Sequence, residues 1–167
     1  LGFMIGLGIK PDEIFLQALA KETDLMTGGR QMPCHWASKE FNVPTQSSPT
    51  GSQFLQAVGV ALANKRKGIN SVVYVSSGEG TTSQGEFHEA INWASREKLP
   101  VVFVIQNNNW AISVPVENQS GGKNNSVLEM MKGYDNLLRL NLDGTDFLAA
   151  NAVAQSAFKH ARMGKGP

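Results

Sequence analysis

Residues 71–109 read SVVYVSSGEGTTSQGEFHEAINWASREKLPVVFVIQNNN, and the fold follows from this stretch. Ser71-Val72-Val73-Tyr74-Val75 is a short β-branched run, the pattern of a strand buried on both faces. Gly78-Glu79-Gly80 and Thr81-Thr82-Ser83 follow it, and a helix is expected from about Gln84 to Arg96. Ser83 and Glu86 stand at capping-box spacing, which marks the helix start. Leu99-Pro100 closes the helix, and Val101 to Ile105 forms a second apolar strand. Strand, helix, strand with nearly all-apolar strands predicts an α/β fold, a doubly wound parallel sheet with helices on both faces.

The flanks extend the pattern. Pro11-Asp12-Glu13 opens a helix, with proline near its first position and acids in its first turn. Thr27 to Gln53 turns to Gly, Pro, Ser and Thr with little periodicity, a long loop of the kind that carries function. Phe54, Val58, Ala61 and Leu62 then recur at helical spacing, and Lys65-Arg66-Lys67-Gly68 ends that helix. After the second strand come a loop from Gln106 to Asn125 and a weak helix around Val127 to Lys132. A third strand is expected over Leu137 to Leu142, and a last helix over Thr145 to Met163 with Thr145 or Asp143 as its cap.

Composition bounds the function. At 167 residues, 41% of them hydrophobic and 17% charged, the chain has material for one core. A formal charge of +1 gives no footprint for nucleic acid. No run is long and apolar enough for a bilayer-spanning helix, so no membrane role is expected. The single Cys34 excludes an intramolecular disulfide framework and fits an intracellular setting, bacterial cytoplasm or mitochondrial matrix. A start at Leu1 and a turn-like Met163-Gly164-Lys165-Gly166-Pro167 lead us to expect a single domain over residues 1–167, cut at both ends from a longer protein.

In such a sheet, ligands bind beyond the carboxyl ends of the strands. Those ends carry Gly78-Glu79-Gly80 and Asn107-Asn108-Asn109, and a right-handed crossover makes them neighbours. The Walker pattern fails here, and the dinucleotide fingerprint fails at Ser83. A carboxylate at Glu79 repels a diphosphate unless a cation lies between them. Mg²⁺ satisfies that condition, since it takes about six oxygens from one or two protein groups plus ligand phosphates. Glu79 and Asn108 can supply two such oxygens, and Gly80 and Thr81 can offer backbone N–H groups to the phosphates.

Glycine-acid-glycine with paired asparagines after it resembles the thiamine diphosphate motif, Asn108 lying 29 positions beyond Glu79. The stretches Gly80 to Ala90 and Asn108 to Pro115 resemble the alpha subunit of the decarboxylating component of 2-oxo acid dehydrogenase complexes. So do Gly29-Arg30-Gln31-Met32-Pro33 with His35, and Ser47-Ser48-Pro49-Thr50-Gly51-Ser52-Gln53. The resemblance implies the thiamine diphosphate-binding fold and Mg²⁺ held by Glu79, Asn108 and the Trp110 carbonyl. It implies diphosphate contacts from Gly80 and Thr81, and an aminopyrimidine contact from Ser48 with Thr50 close by. In branched-chain relatives the segment matching Ser47, Pro49, Ser52 and Gln53 also holds K⁺.

The implied activity is oxidative decarboxylation of a 2-oxo acid, branched-chain rather than pyruvate, with acyl transfer to a lipoyl group. A beta subunit and a lipoyl-bearing acyltransferase core are the implied partners, with two alpha and two beta chains in the assembly. The glutamate that activates the aminopyrimidine belongs to the beta subunit, so no catalytic acid or base of the cofactor is expected in this chain.

Several departures from the pattern are visible. Glu79 stands where most of the wider family has aspartate, which resembles the branched-chain members. Trp110 replaces a tyrosine. Gln106 occupies the place of a phosphate-binding arginine in some relatives, which weakens that contact. A tyrosine-arginine phosphate clamp is expected before Leu1, and a histidine-bearing loop beyond Pro167.

Plainer readings stand beside these. His35, in a loop, either faces substrate or serves as a hydrogen-bonded structural histidine, Cys34 reads as an inert thiol, and Lys65-Arg66-Lys67 as a solvated helix end. Two other functions fit the pattern less closely: a dinucleotide-binding oxidoreductase domain and a non-catalytic binding or assembly module.

Overall fold

The computed structural model describes residues 1–167, which divide into two compact units, Leu1–Pro49 and Thr50–Pro167. The first unit carries α1 (Gly2–Leu7) and α2 (Pro11–Ala18), followed by turns and loop. Pro11 opens α2 as expected, and the Glu13 carboxylate accepts the Lys10 N–H at 2.8 Å. Met4, Ile9 and Trp36 form its small buried core, with Ile14, Met26, Phe41 and Val43 packed around them.

Polar groups organise the rest of this unit. The buried Asp24 carboxylate accepts the N–H groups of Met26 at 3.0 Å, Thr27 at 3.1 Å and Gly29 at 3.4 Å, and the Thr27 hydroxyl at 2.5 Å. Gly29 itself sits at φ 74, where an added Cβ would lie 2.6 Å from the Ala20 carbonyl oxygen. Only glycine fits there. Burial pushes the Asp24 pKa up, but the bonds from Thr27, Met26 and Gly29 outweigh it and hold the group below its ordinary 3.8. Asp24 therefore stabilises the fold fully above its ordinary value, and that support is lost as the pH falls through the lower folded value. Asp24→Ala is expected to cost about 2 kcal/mol near neutrality. Melting curves of the two proteins should converge as the pH drops below the usual carboxylate range.

The second unit contains the α/β structure. It runs through α3 (Ser52–Arg66), β1 (Val73–Gly78), α4 (Gly85–Arg96) and β2 (Val101–Gln106). A hairpin of β3 (Trp110–Ala111) and β4 (Val114–Pro115), then α5 (Val127–Met130) and α6 (Phe147–Arg162), complete it. β1 and β2 pair in parallel from Val73↔Val101 to Gly78↔Gln106, so their carboxyl ends lie side by side. α3 buries Phe54, Ala57, Val58 and Ala61, and α4 buries Phe87, Ala90, Ile91 and Ala94. Both sets recur at i, i+3, i+4 and i+7, and their alanines let the helices approach closely. Phe54 and Phe87 meet edge to face at 5.0 Å, and Val75, Leu99, Val101 and Met131 close the same core.

Four expectations need correction. β1 begins at Val73, and Ser76, Ser77 and Gly78 belong to it because each pairs with β2. Ser83 and Glu86 form no capping box; Glu79–Ser83 is a 3₁₀ turn, Gln84 is the cap residue, and the Ser83 hydroxyl donates to the Gln119 carbonyl at 3.2 Å. Leu137 to Leu142 forms no strand. Its Leu138 N–H bonds the Pro167 carbonyl at 2.9 Å, and Leu138, Leu140 and Leu142 remain partly exposed. α6 starts at Phe147 with Asp146 as its cap, accepting the Ala149 N–H at 3.0 Å, while Asp143 is spent on Thr145.

Candidate metal and diphosphate site

The paired ends of β1 and β2 carry the chain into the two segments that the sequence singled out. From β1 the backbone enters the 3₁₀ turn Glu79–Ser83, closed by the Thr82 hydroxyl donating to the Glu79 carbonyl at 2.6 Å. From β2 it enters Asn107-Asn108-Asn109 and the hairpin. The turn and hairpin are packed hard together. A Cβ on Gly80 would lie 2.4 Å from the Ala111 Cβ and 2.9 Å from Gln119 Oε1. Gln119 binds the hairpin in turn, its Nε2 donating to the Val114 carbonyl.

Glu79 is 3% exposed, and its two oxygens have different fates. Oε2 accepts a long bond of 3.4 Å from the Asn108 N–H. Oε1 is buried and has no hydrogen-bond partner. An unpaired buried carboxylate oxygen is costly unless a cation meets it. Asn108 folds back so that its Oδ1 accepts the Trp110 N–H at 2.9 Å, which leaves a second lone pair on that oxygen. The Val116 N–H bonds the Asn109 carbonyl at 2.9 Å, which makes Trp110↔Pro115 the non-hydrogen-bonded pair of the hairpin. The Trp110 N–H and carbonyl thus both turn away from β4, toward the side where Asn108 Oδ1 lies. A carboxylate oxygen, an amide oxygen and a backbone carbonyl are all hard oxygens, the donor type that a small divalent cation completed by ligand oxygens takes.

The remaining expected residues fall as follows. Gly80 and Thr81 lie in the 3₁₀ turn, ahead of α4, rather than at its start. The buried Thr81 hydroxyl accepts from Ser77 at 2.6 Å. Gln106 is exposed at the last position of β2, paired with Gly78. Thr50 sits in the turn before α3, and Gln53 Oε1 accepts the Gly51 N–H at 3.1 Å. Ser47, Ser48 and Pro49 belong to the first unit, and Ser52 begins α3.

Ser77 and Gln119 were not legible in the sequence, and Ala111 only as part of the Asn108 to Pro115 stretch, yet all three shape this site. Their roles depend on packing across chain separations that leave no periodic signal.

Ile112, at the hairpin tip, has φ 56 and a fully exposed side chain. Left-handed backbone is unfavourable for a β-branched residue. Ile112→Asn should therefore stabilise the chain by about 1 kcal/mol, seen as a Tm rise of ~2–4 °C. An unchanged or lower Tm would show that the tip is not strained.

Comparison with known families decides the relationship. The family described as dehydrogenase E1 component matches the chain over residues 1–167. The chain belongs to the dehydrogenase E1 component family. It is 36% identical over its full 167 residues to the 2-oxoisovalerate dehydrogenase subunit alpha of Bacillus subtilis, spanning 50% of that protein. Identity to the mitochondrial 2-oxoisovalerate dehydrogenase subunit alpha of Dictyostelium discoideum is 37%, over 96% of the chain and 36% of the relative. Identity to the pyruvate dehydrogenase E1 component subunit alpha of Bacillus subtilis is also 37%, over 83% of the chain and 35% of the relative. The chain thus spans half or less of the length of these E1 relatives. Its α/β fold agrees with the E1 family. No helix of it is long and apolar enough to cross a membrane.

Proposed function

We propose that this chain is the metal- and diphosphate-binding part of an alpha subunit in a thiamine diphosphate-dependent 2-oxo acid dehydrogenase. The observation that carries the reading is Glu79 Oε1, buried and unpartnered beside Asn108. In this reading Glu79, Asn108 and the Trp110 carbonyl hold Mg²⁺. Gly80 and Thr81 receive the diphosphate, and Gln106 makes a weaker contact at the same end. Ser48 and Thr50 keep the aminopyrimidine role that the resemblance gives them. K⁺ at Ser47, Pro49, Ser52 and Gln53 rests on that resemblance alone.

When bound, thiamine diphosphate supplies the electron sink that lets a 2-oxo acid lose CO₂. The chain's own residues bind and orient. Glu79 contributes the negative charge that attracts the cation. The packed turn and hairpin fix its donor oxygens, so little reorganisation is needed when the metal arrives. The β1–β2 pair is read as part of a doubly wound parallel sheet with helices on both faces, and residues 1–167 as one cofactor-binding domain. A beta subunit provides the base acting on the aminopyrimidine, and a lipoyl-bearing acyltransferase core takes the acyl group. The setting is intracellular, bacterial cytoplasm or mitochondrial matrix.

Two features favour a branched-chain 2-oxo acid over pyruvate. The acid is Glu79, and the first relative above, matched over all of this chain, is named for 2-oxoisovalerate. The test is reconstitution of the full-length subunit with its beta chain, Mg²⁺ and thiamine diphosphate. CO₂ release should be faster from 2-oxoisovalerate than from pyruvate. No release from either would favour a non-catalytic module. The dinucleotide-binding reading has no observation of this kind in its favour.

A further inference from the structure

The geometry points to His35 as a positioning residue that fixes the hydrogen-bond polarity of Ser48. His35 Nδ1 lies 3.2 Å from the Pro33 carbonyl oxygen, and Nε2 lies 2.9 Å from Ser48 Oγ. A carbonyl only accepts, so in the neutral ring Nδ1 carries the hydrogen and Nε2 is the bare acceptor. The Ser48 hydroxyl must then donate its single hydrogen to His35. Its lone pairs are left outward, and Ser48 becomes an acceptor for a ligand N–H rather than a donor.

The backbone that carries the imidazole is held by a buried side-chain amide. Gln17, buried at 1% exposure on α2, donates through Nε2 to the His35 carbonyl at 2.8 Å. Its Oε1 accepts the Cys34 N–H at 3.0 Å, where Cys34 has the left-handed φ of 66. One side-chain amide thus fixes the backbone on both sides of the 34–35 peptide. Gln46 is tied to the same segment: its N–H donates to the Trp36 carbonyl at 3.1 Å, and its Oε1 accepts the Trp36 N–H at 3.3 Å. The strand of loop carrying Ser48 is therefore registered against the one carrying His35. Placement of Ser48 on an amino-bearing ring rests on the proposed function. The polarity of its hydroxyl rests on the hydrogen bonds alone. Together they specify an exocyclic amine as the ligand group that Ser48 accepts from.

Two measurements on the full chain test this. Nitrogen-15 NMR of histidine, without metal or cofactor, should show His35 as the Nδ1–H tautomer, with an Nε2 signal that moves in Ser48→Ala. An Nε2–H tautomer overturns the inference whatever the function. Calorimetric titrations with Mg²⁺ then compare thiamine diphosphate with inorganic pyrophosphate, which lacks the amine. His35→Leu should weaken thiamine diphosphate binding by about tenfold, the effect of one hydrogen bond, and leave pyrophosphate binding unchanged. His35→Gln, whose Oε1 can accept where Nε2 did, should recover most of the loss. Equal weakening of both ligands, or of neither, overturns the inference while leaving the metal–diphosphate reading standing. Failure of the wild-type chain to bind either ligand with Mg²⁺ overturns that reading instead, and the tautomer still decides the polarity of Ser48.

Discussion

Glu79→Ala is expected to lower thiamine diphosphate affinity by at least about a hundredfold in the presence of Mg²⁺. The buried, unpartnered Oε1 is the only protein charge in the proposed donor set, since Asn108 and Trp110 contribute neutral oxygens. Without it the cation loses its anchor and the diphosphate its counter-charge. The same feature predicts an effect of opposite sign on the metal-free chain. Glu79→Gln replaces a buried charge by a neutral amide, which removes part of an unpaid desolvation cost of about 1–3 kcal/mol. Its Tm without metal should equal or exceed that of the wild type. A variant that loses cofactor binding while gaining thermal stability separates a binding role from a structural one. If Glu79→Gln melts well below the wild type, the carboxylate is a structural group and the site assignment fails.

Gly80→Ala tests the packing that holds those donors. The added methyl would lie 2.4 Å from the Ala111 Cβ, too close for any real pair of carbons, so turn or hairpin must move. Overpacking of this kind costs about 1–3 kcal/mol. Because the hairpin carries Trp110 and begins two positions after Asn108, its displacement should also weaken Mg²⁺-dependent binding by about tenfold or more. Ala111→Gly in the same chain removes the opposing methyl and should recover most of both losses. Calorimetry and melting curves over this double-mutant cycle measure the coupling. Additive effects of the two substitutions would mean that Gly80 does not set the hairpin position.

The part of the site visible in the sequence was the part written in local chemistry. Short, nearly all-apolar runs located β1 and β2, and an acid between two glycines marked what could bind beside them. Their parallel pairing then brought Gly78 level with Gln106, which put Glu79 within reach of Asn108. The strand limits were less legible, because Ser76, Ser77 and Gly78 are poor strand formers that pair only through β2. The hairpin Trp110–Pro115 was hidden for a related reason: Ile112 occupies a turn position that normally announces itself with glycine or asparagine. At α6, three polar residues competed for the cap, and backbone geometry chose Asp146 over Thr145 and Asp143. Leu137 to Leu142 has the apolar character of a strand but no ladder partner within the chain. Gln17, Asp24 and the His35–Ser48 pair act through long-range or loop hydrogen bonds, which composition and periodicity do not encode.

The measurement closest to the central claim is a calorimetric titration of thiamine diphosphate into the wild-type chain, first with saturating Mg²⁺ and then after chelation of all divalent ions. Cation-dependent binding at Glu79, Asn108 and Trp110 predicts saturable one-site binding in the first case and no detectable binding in the second. Equal affinity with and without the metal would contradict it.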